Sequence, residues 1–416
     1  MKLRFGIGIL IIVVGFSLSS FYPIDGYDRT GIKRLVYWEQ VKKGEIESNR
    51  IPAGAFYPMD SIKLNLLDRK DEFLGVPAVD EPLQKKVDAL FKGLDKNYSL
   101  TVLDMTKGHP VRYAQHRETE GYQPGSVGKL VVLASFFEGL CRVYPNDFDK
   151  RLALMKAKTI KAGDWALYDH HTVPVYNLET KKMVKRKVTE KDVFTLYEWL
   201  DNMVSVSNNG AASVVWREAL LMHVFEDKYP DLTFEEAETY FKETSKKELS
   251  ELAIKIVNQP LRDVGISEDE WRLGKFFTNG AGEHIPGTGG SIGTPIGLMK
   301  YMVALEKGAF IDKASSLEMK RLLYLTDRRI RYAASKKLDS AAVYFKSGSF
   351  YKCDRGKNPG CGDYEGNVYN YMNSVAIVEQ PDGTKYAVCL MSNVLNKNSA
   401  YDHLMLASKI DALIRD

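Results

Sequence analysis

The 416-residue chain has no apolar run as long as the ~20 residues a membrane-spanning helix needs, no internal repeat and no low-complexity tract. Those absences exclude multi-span membrane proteins, repeat solenoids and disordered scaffolds. Charge of one sign is also scarce, since 58 basic against 54 acidic residues leave a formal net charge of +4. Nucleic-acid binding shows as a strong basic excess on one face, and this balance offers no case for it. Only four cysteines and seven histidines are present, and the cysteines lack metal-site spacing. His170 and His171 are neighbours without a matching cluster and read as part of a polar loop. Neither a metal nor a cofactor is expected.

What remains, 44% hydrophobic and 27% charged residues, is an ordinary globular composition in a chain long enough for a sizeable core. The first residues are different. Lys2 and Arg4 precede an apolar stretch, Phe5 to Leu18, and the next charge is Asp25. This pattern predicts a signal peptide, or a short anchor if uncleaved, over residues 1–20, with Ser17-Leu18-Ser19 offering small residues for cleavage. Export to the periplasm or the exterior follows, with membrane contact through the N-terminal segment alone. In such a compartment Cys353 and Cys361, which bracket "CDRGKNPGC", are expected to form a disulfide. Cys141 and Cys389 lie in apolar runs and are expected as buried free thiols.

Residues 21–80 form a lead-in, and the main folded unit is expected over residues 81–416 with a helical insert near residues 217–264. In "EPLQKKVDALFKGLD", Val87, Leu90, Phe91 and Leu94 share one helical face. "YSLTVLDMT" and "VRYAQHR" read as strands joined by turn residues, and "AAVYFKSGSF", "YNYMNSVAIVEQ" and "KYAVCLMSN" as three more near the other end. A terminal helix follows. The pattern predicts an α+β fold in which one antiparallel five-stranded sheet is assembled from both chain ends and flanked by helices.

Chemistry concentrates in three short stretches. "QPGSVGKLVVL" puts Ser126 at the mouth of an apolar helix and Lys129 three positions on, on the same face. A serine hydroxyl becomes nucleophilic when a base takes its proton, and a lysine can be that base when burial or a neighbouring cation keeps it neutral. Ser207-Asn208-Asn209 falls at a break between helices, and Lys346-Ser347-Gly348 on a late strand. A second Ser-x-x-Lys, Ser349 to Lys352, shows how common each element is singly. The ordered set Ser-x-x-Lys, Ser-x-Asn, Lys-Ser-Gly is far less common.

On these residues the sequence resembles the penicillin-binding protein and β-lactamase superfamily of serine hydrolases, nearest its class A β-lactamase-like branch. "MVSVSNNGAAS" and "GTPIGLMKYMVALEKG" resemble further segments of that branch, and the likeness runs from about Glu81 to the C-terminus. It implies Ser126 as the acylated nucleophile, Lys129 as its general base and Ser207 as a proton relay to the leaving nitrogen. It further implies that Asn209 holds the substrate's amide side chain, that Lys346 and Ser347 bind a substrate carboxylate, and that Gly348 permits close approach. The backbone N–H groups of Ser126 and Ser349 would form the oxyanion hole.

The likeness also has a gap. Class A enzymes clear the acyl group with a glutamate, and register places that position near Lys275 to Thr278, where no acid occurs. Glu270, in "EDEWRLGKFF", and Glu283 are the substitutes at hand. The resemblance therefore implies acylation by β-lactams or cell-wall peptides and leaves three activities open: a β-lactamase, a D-alanyl-D-alanine peptidase or esterase with slow β-lactam turnover, and a non-catalytic cell-wall binding protein that retains the fold.

Overall fold

Strands that are apolar on both faces need cover on both sides, and the sheet at the centre of this protein has it. The computed structural model describes residues 26–47, 52–327 and 329–416, so the expected signal or anchor segment lies outside the described residues. Strands β1 (Tyr98–Asp104), β2 (Arg112–His116), β3 (Ala342–Lys352), β4 (Tyr369–Glu379) and β5 (Lys385–Asn393) form one sheet in the order β2-β1-β5-β4-β3. Every neighbouring pair is antiparallel. The two chain ends meet where β1 pairs with β5, from Tyr98 opposite Ser392 to Asp104 opposite Tyr386.

Side chains alternate across the sheet with period two. Val375, Ile377, Ala387, Cys389 and Met391 enter the large core shared with the central helices. Ala376, Val378, Val388 and Leu390 face the other way, into a smaller core. Helix α1 (Glu81–Phe91) covers that second face with Leu83, Val87 and Phe91, and the terminal helix Ala400–Arg415 with Leu406, Ala407, Ile410 and Ile414. Helix α1 begins where Asp80 accepts the Leu83 N–H at 2.9 Å and Pro82 occupies the first turn.

On the first face lies α2 (Lys129–Val143), buried at 12 of its 15 residues. A helix apolar all round is a core helix, and this one anchors the site. Helices α3 (Leu196–Val204) and α4 (Asn209–Phe225) pack beside it. The region expected as an insert begins within α4 and continues through helices Phe234–Glu243 and Lys246–Asp263, whose side chains Phe241, Leu249, Ile256 and Leu261 join the same core as α2.

The lead-in is woven into that core through Ile32, Leu35, Met59, Ile62 and Leu66. Arg34 pairs with Asp201 at 2.5 and 2.6 Å, with both side chains 2% exposed. Removing Arg34 would take from the buried Asp201 the guanidinium that pairs with it. His170 and His171 lie in a loop, and a hairpin, Thr172–Asn177 paired with Lys182–Lys187, follows directly. Its turn is closed by Asn177 Oδ1, which accepts the Glu179 and Thr180 amides at 2.9 and 2.8 Å, and Tyr176 ties it to the lead-in through Gln40 at 2.6 Å. Cys353 and Cys361 are joined by a disulfide. Cys389 is a buried free thiol, whereas Cys141 is only partly buried, because it faces Arg151 at 3.2 Å beside a surface cavity.

Candidate active site

Ser126 lies in a tight turn, Gly125–Gly128, that runs directly into α2. Residues three apart eclipse in such a turn, so Lys129 reaches back and its Nζ lies 2.8 Å from Ser126 Oγ. The amine is fully buried and has two further strong partners, the Ser207 carbonyl at 2.7 Å and Asn209 Oδ1 at 2.6 Å. Hydrogen counting then assigns the third contact. In the neutral form the amine has two hydrogens and one lone pair; with the two carbonyl oxygens taking the hydrogens, the lone pair faces the Ser126 hydroxyl, whereas the ammonium form donates to all three oxygens. Burial pushes the Lys129 pKa down to about 7, with the Asp169 carboxylate pulling the other way.

The break between α3 and α4 supplies the second wall. Asn208 Oδ1 caps α4 by accepting the Ala211 amide at 2.6 Å, which turns Ser207 and Asn209 toward Lys129. Ser207 has φ +62°, the left-handed region that costs a non-glycine residue about 1 kcal/mol or more. It is held there by Lys129 at its carbonyl and by Lys346 Nζ, which donates to Ser207 Oγ at 2.8 Å. Lys346 is also buried, and desolvation, then the charges of Lys129 and Arg331, hold its pKa well below the usual lysine range.

Strand β3 closes the site, and two glycines set how near it comes. A Cβ on Gly348 would stand 2.4 Å from the Pro124 carbonyl oxygen and 2.9 Å from the Ser126 nitrogen. A Cβ on Gly125, at φ +52°, would stand 3.0 Å from the Ser349 nitrogen. The amides of Ser126 and Ser349 therefore flank one close approach, the placement an oxyanion needs. Asn373 fixes it from β4, donating to the Gln123 and Pro124 carbonyls at 2.9 and 3.1 Å. Arg331 fixes it from the other side, donating to Gly348 O at 3.0 Å and Ser349 Oγ at 3.1 Å. Ser347 and Lys346 then open onto a cleft of about 440 Å³, whose far walls include Lys185 of the hairpin and Tyr364 beyond the disulfide.

Ser126, Lys129, Ser207, Asn209, Lys346, Gly348 and Ser349 thus converge, with Ser347 on the cleft wall. The two glutamates do not join them. Glu270 is paired to Lys300 at 2.5 Å and accepts the Ser267 amide at 2.9 Å, turned toward the helix Pro295–Glu306. Glu283 is exposed on the short helix Asn279–His284, and Lys246 donates to its carbonyl at 2.8 Å. In the window where register places the family's glutamate stands Phe277, its ring centre 5.0 Å from Lys129 Nζ. Among the described residues no carboxylate is hydrogen-bonded to Ser126 or Lys129.

Three neighbours escaped the sequence reading. Asp169 underlies Asn209 from a loop and Arg331 braces Ser349 from the start of a short turn of 3₁₀ helix, Arg331–Ala334, placements that motif spacing does not encode. Phe277 lies in the acid-free window Lys275 to Thr278, so its position, though not its role, is legible in the sequence.

The chain resembles several solved structures. One is a beta-lactamase from Chitinophaga pinensis DSM 2588, with 15% identity over 81% of this chain and 99% of that one and a TM-score of 0.52. Another is a representative of class A beta-lactamase from Bacteroides cellulosilyticus DSM 14838, with 15% identity over 80% and 96% of the two chains and a TM-score of 0.50. The TLA-3 extended-spectrum beta-lactamase aligns at 12% identity over 80% and 98%, with a TM-score of 0.52. Such low identity shows a shared fold. No curated protein sequence matches the chain. The model of the beta-lactamase enzyme family, however, matches residues 82–412, a span that starts inside α1 and takes in every motif residue of the site, and by that match the chain belongs to the beta-lactamase enzyme family.

Proposed function

We propose that this protein is an exported serine hydrolase or acyltransferase that forms an acyl-enzyme at Ser126 with β-lactams and peptidoglycan-type amides, and that it gives up the acyl group slowly. The observation that carries the reading is the Ser126–Lys129 contact, a hydroxyl 2.8 Å from a fully buried amine that two carbonyl oxygens also hold.

In the acylation step Lys129 takes the Ser126 proton as Oγ attacks the substrate carbonyl. The oxyanion forms between the Ser126 and Ser349 amides, and each such donor is worth about 100-fold or more in rate. Collapse of the intermediate breaks the C–N bond, and the departing nitrogen needs a proton. Ser207 Oγ, 3.4 Å from Lys129 and 2.8 Å from Lys346, is placed to hand one on. Lys346 and Ser347 hold the substrate's carboxylate.

Hydrolysis of the resulting ester requires a water and a base to activate it. Where the family keeps that base, this chain has the Phe277 ring, so water at the ester carbonyl has no carboxylate to deprotonate it. A long-lived adduct follows, favouring a peptidase-like physiological substrate over a β-lactam. The Cys353–Cys361 disulfide supports an oxidising, exported location.

The test is incubation with a fluorescent penicillin and with nitrocefin, followed by intact mass over time. A single adduct that disappears in Ser126→Ala, falls at least about 100-fold in formation rate in Lys129→Ala and outlasts nitrocefin turnover bears the reading out. Rapid nitrocefin turnover without a lasting adduct marks a β-lactamase, and labelling that is unchanged in Lys129→Ala, or absent altogether without turnover, overturns the reading and favours a non-catalytic cell-wall binding protein.

A further inference from the structure

Asp169 belongs to no motif, yet it is the most heavily bonded group beside the site. Its side chain is 4% exposed. One carboxylate oxygen accepts the backbone N–H groups of Asn209 at 2.8 Å and Gly210 at 3.3 Å. The other accepts the Asn209 side-chain amide at 3.2 Å and the His171 ring nitrogen at 2.7 Å. An asparagine amide can point either way, and an acceptor on one side decides which. With a carboxylate behind it, the Asn209 amide must turn its nitrogen to Asp169 and its oxygen to Lys129, the 2.6 Å contact that takes one of the lysine's hydrogens.

We infer that Asp169 is a positioning residue of the acylation site, which through Asn209 fixes the amide orientation that Lys129 and the substrate meet, and which supplies the nearby negative charge opposing the burial of that lysine. The inference rests on the reading of Ser126 and Lys129 as the acylating pair.

Two consequences separate this role from mere support. First, the charge persists across the working range. Burial alone would raise the Asp169 pKa, but the hydrogen bonds and charge of His171 and the Asn209 amide outweigh it, and the carboxyl stays well below the usual carboxylate range. Second, the groups facing Lys129 pull in opposite directions. Asp169 favours its ammonium form, and so does the Phe277 ring at 5.0 Å; burial disfavours it, and the Lys346 amine, itself beside Arg331, meets Lys129 across the Ser207 hydroxyl. Facing Asp169 are His171 and, at 3.9 Å, the exposed His170. Deleting the carboxylate charge must therefore lower the Lys129 midpoint and leave a larger neutral fraction at acid pH.

The test compares the full chain with Asp169→Asn and Asp169→Glu. The Lys129 titration is followed by its side-chain ¹³Cε signal, assigned with Lys129→Arg, and in parallel by the pH profile of Ser126 labelling with a fluorescent penicillin. In Asp169→Asn both midpoints should fall by about one pH unit, the low end of the effect of a nearby opposite charge, and the penicillin concentration for half-maximal labelling rate should rise several-fold. Asp169→Glu keeps the charge and should hold the midpoint while the half-maximal concentration still rises. Should Asp169→Asn fail to fold, Asp169→Ser, which retains an acceptor for the amides, takes its place. A midpoint within about 0.2 pH unit of the unaltered protein overturns the inference. A Lys129 signal that shifts in a protein penicillin never labels sustains the positioning role and instead defeats the acyl-enzyme reading.

Discussion

Replacing Gly348 with alanine probes the site at its tightest point. The new Cβ would stand 2.4 Å from the Pro124 carbonyl oxygen, 2.8 Å from the Val127 nitrogen and 2.9 Å from the Ser126 nitrogen. Ordinary contact begins near 3.4 Å, so the strand and the Ser126 turn must part by about 1 Å. All the clashing atoms are backbone, and no side-chain rotation relieves them. A 1 Å misplacement in a catalytic constellation costs about 100-fold in rate, or about 2.7 kcal/mol of transition-state stabilisation. It falls here on the two amides that receive the oxyanion. The expected result is a loss of about 100-fold in the second-order rate of penicillin labelling, with a fall of a few degrees in Tm from overpacking. Gly282→Ala, whose Cβ would meet nothing within 4 Å, is the control and should label within about twofold of the unaltered protein. Labelling of Gly348→Ala at a near-normal rate would show that the β3 approach does not shape the oxyanion site.

Three further perturbations follow from the same geometry. Lys129→Met should raise thermal stability even as it abolishes labelling. The native amine, with its pKa pushed down to about 7, binds fewer protons than the unfolded chain, so its destabilising effect is full below pH 7 and fades as pH rises toward 10.5. Thermal melts of the variant should accordingly show a gain worth a few kcal/mol at pH 6 and little at pH 10, and a uniform gain would contradict the linkage. Phe277→Glu places a carboxylate beside Lys129; intact mass should show the penicillin adduct decaying at least about tenfold faster, and the labelling midpoint should move to higher pH because the new anion favours the ammonium. An unchanged adduct lifetime would mean that something other than the ring withholds the attacking water. Reducing the Cys353–Cys361 bridge, which spans a sequence separation of 8, should cost about 2–3 kcal/mol in chain entropy, read as a lower denaturant midpoint with reductant than without.

Legibility in the sequence followed the range of each interaction. The sheet was readable because strand periodicity is local, and Tyr98–Asp104 and the three late strands alternate into two cores along their length. Ser126 and Lys129 were readable for the same reason, a nucleophile and base three residues apart. Asp169 was not, since it meets Asn209 from 40 positions upstream, through a Tyr-Asp-His-His stretch with no periodic signal. The adjoining hairpin carries Pro174 and four lysines, features that argue against a strand unless another element covers it, as Gln40 of the lead-in helps to do. Arg331 sits at φ +51° between helix and strand, a conformation no composition announces.

The parts that stayed illegible share a physical role, which is to set the charge and orientation of groups the motifs name. Two buried lysines that share one serine hydroxyl disfavour each other's charge, since among the described residues no carboxylate is bonded directly to either. Of the pair, Lys346 has Arg331 as a second cationic neighbour and Lys129 has Asp169 as an anionic one, so the environment treats the two amines differently although their burial is the same. A base that works near neutral pH needs that asymmetry: with burial and like charge alone, the amine would have too little affinity for the Ser126 proton, and with a carboxylate bonded to it directly, it would already hold one. A carboxylate one amide away lies between those extremes, and it explains why the asparagine that separates Asp169 from Lys129 matters as much for the proton as for the substrate.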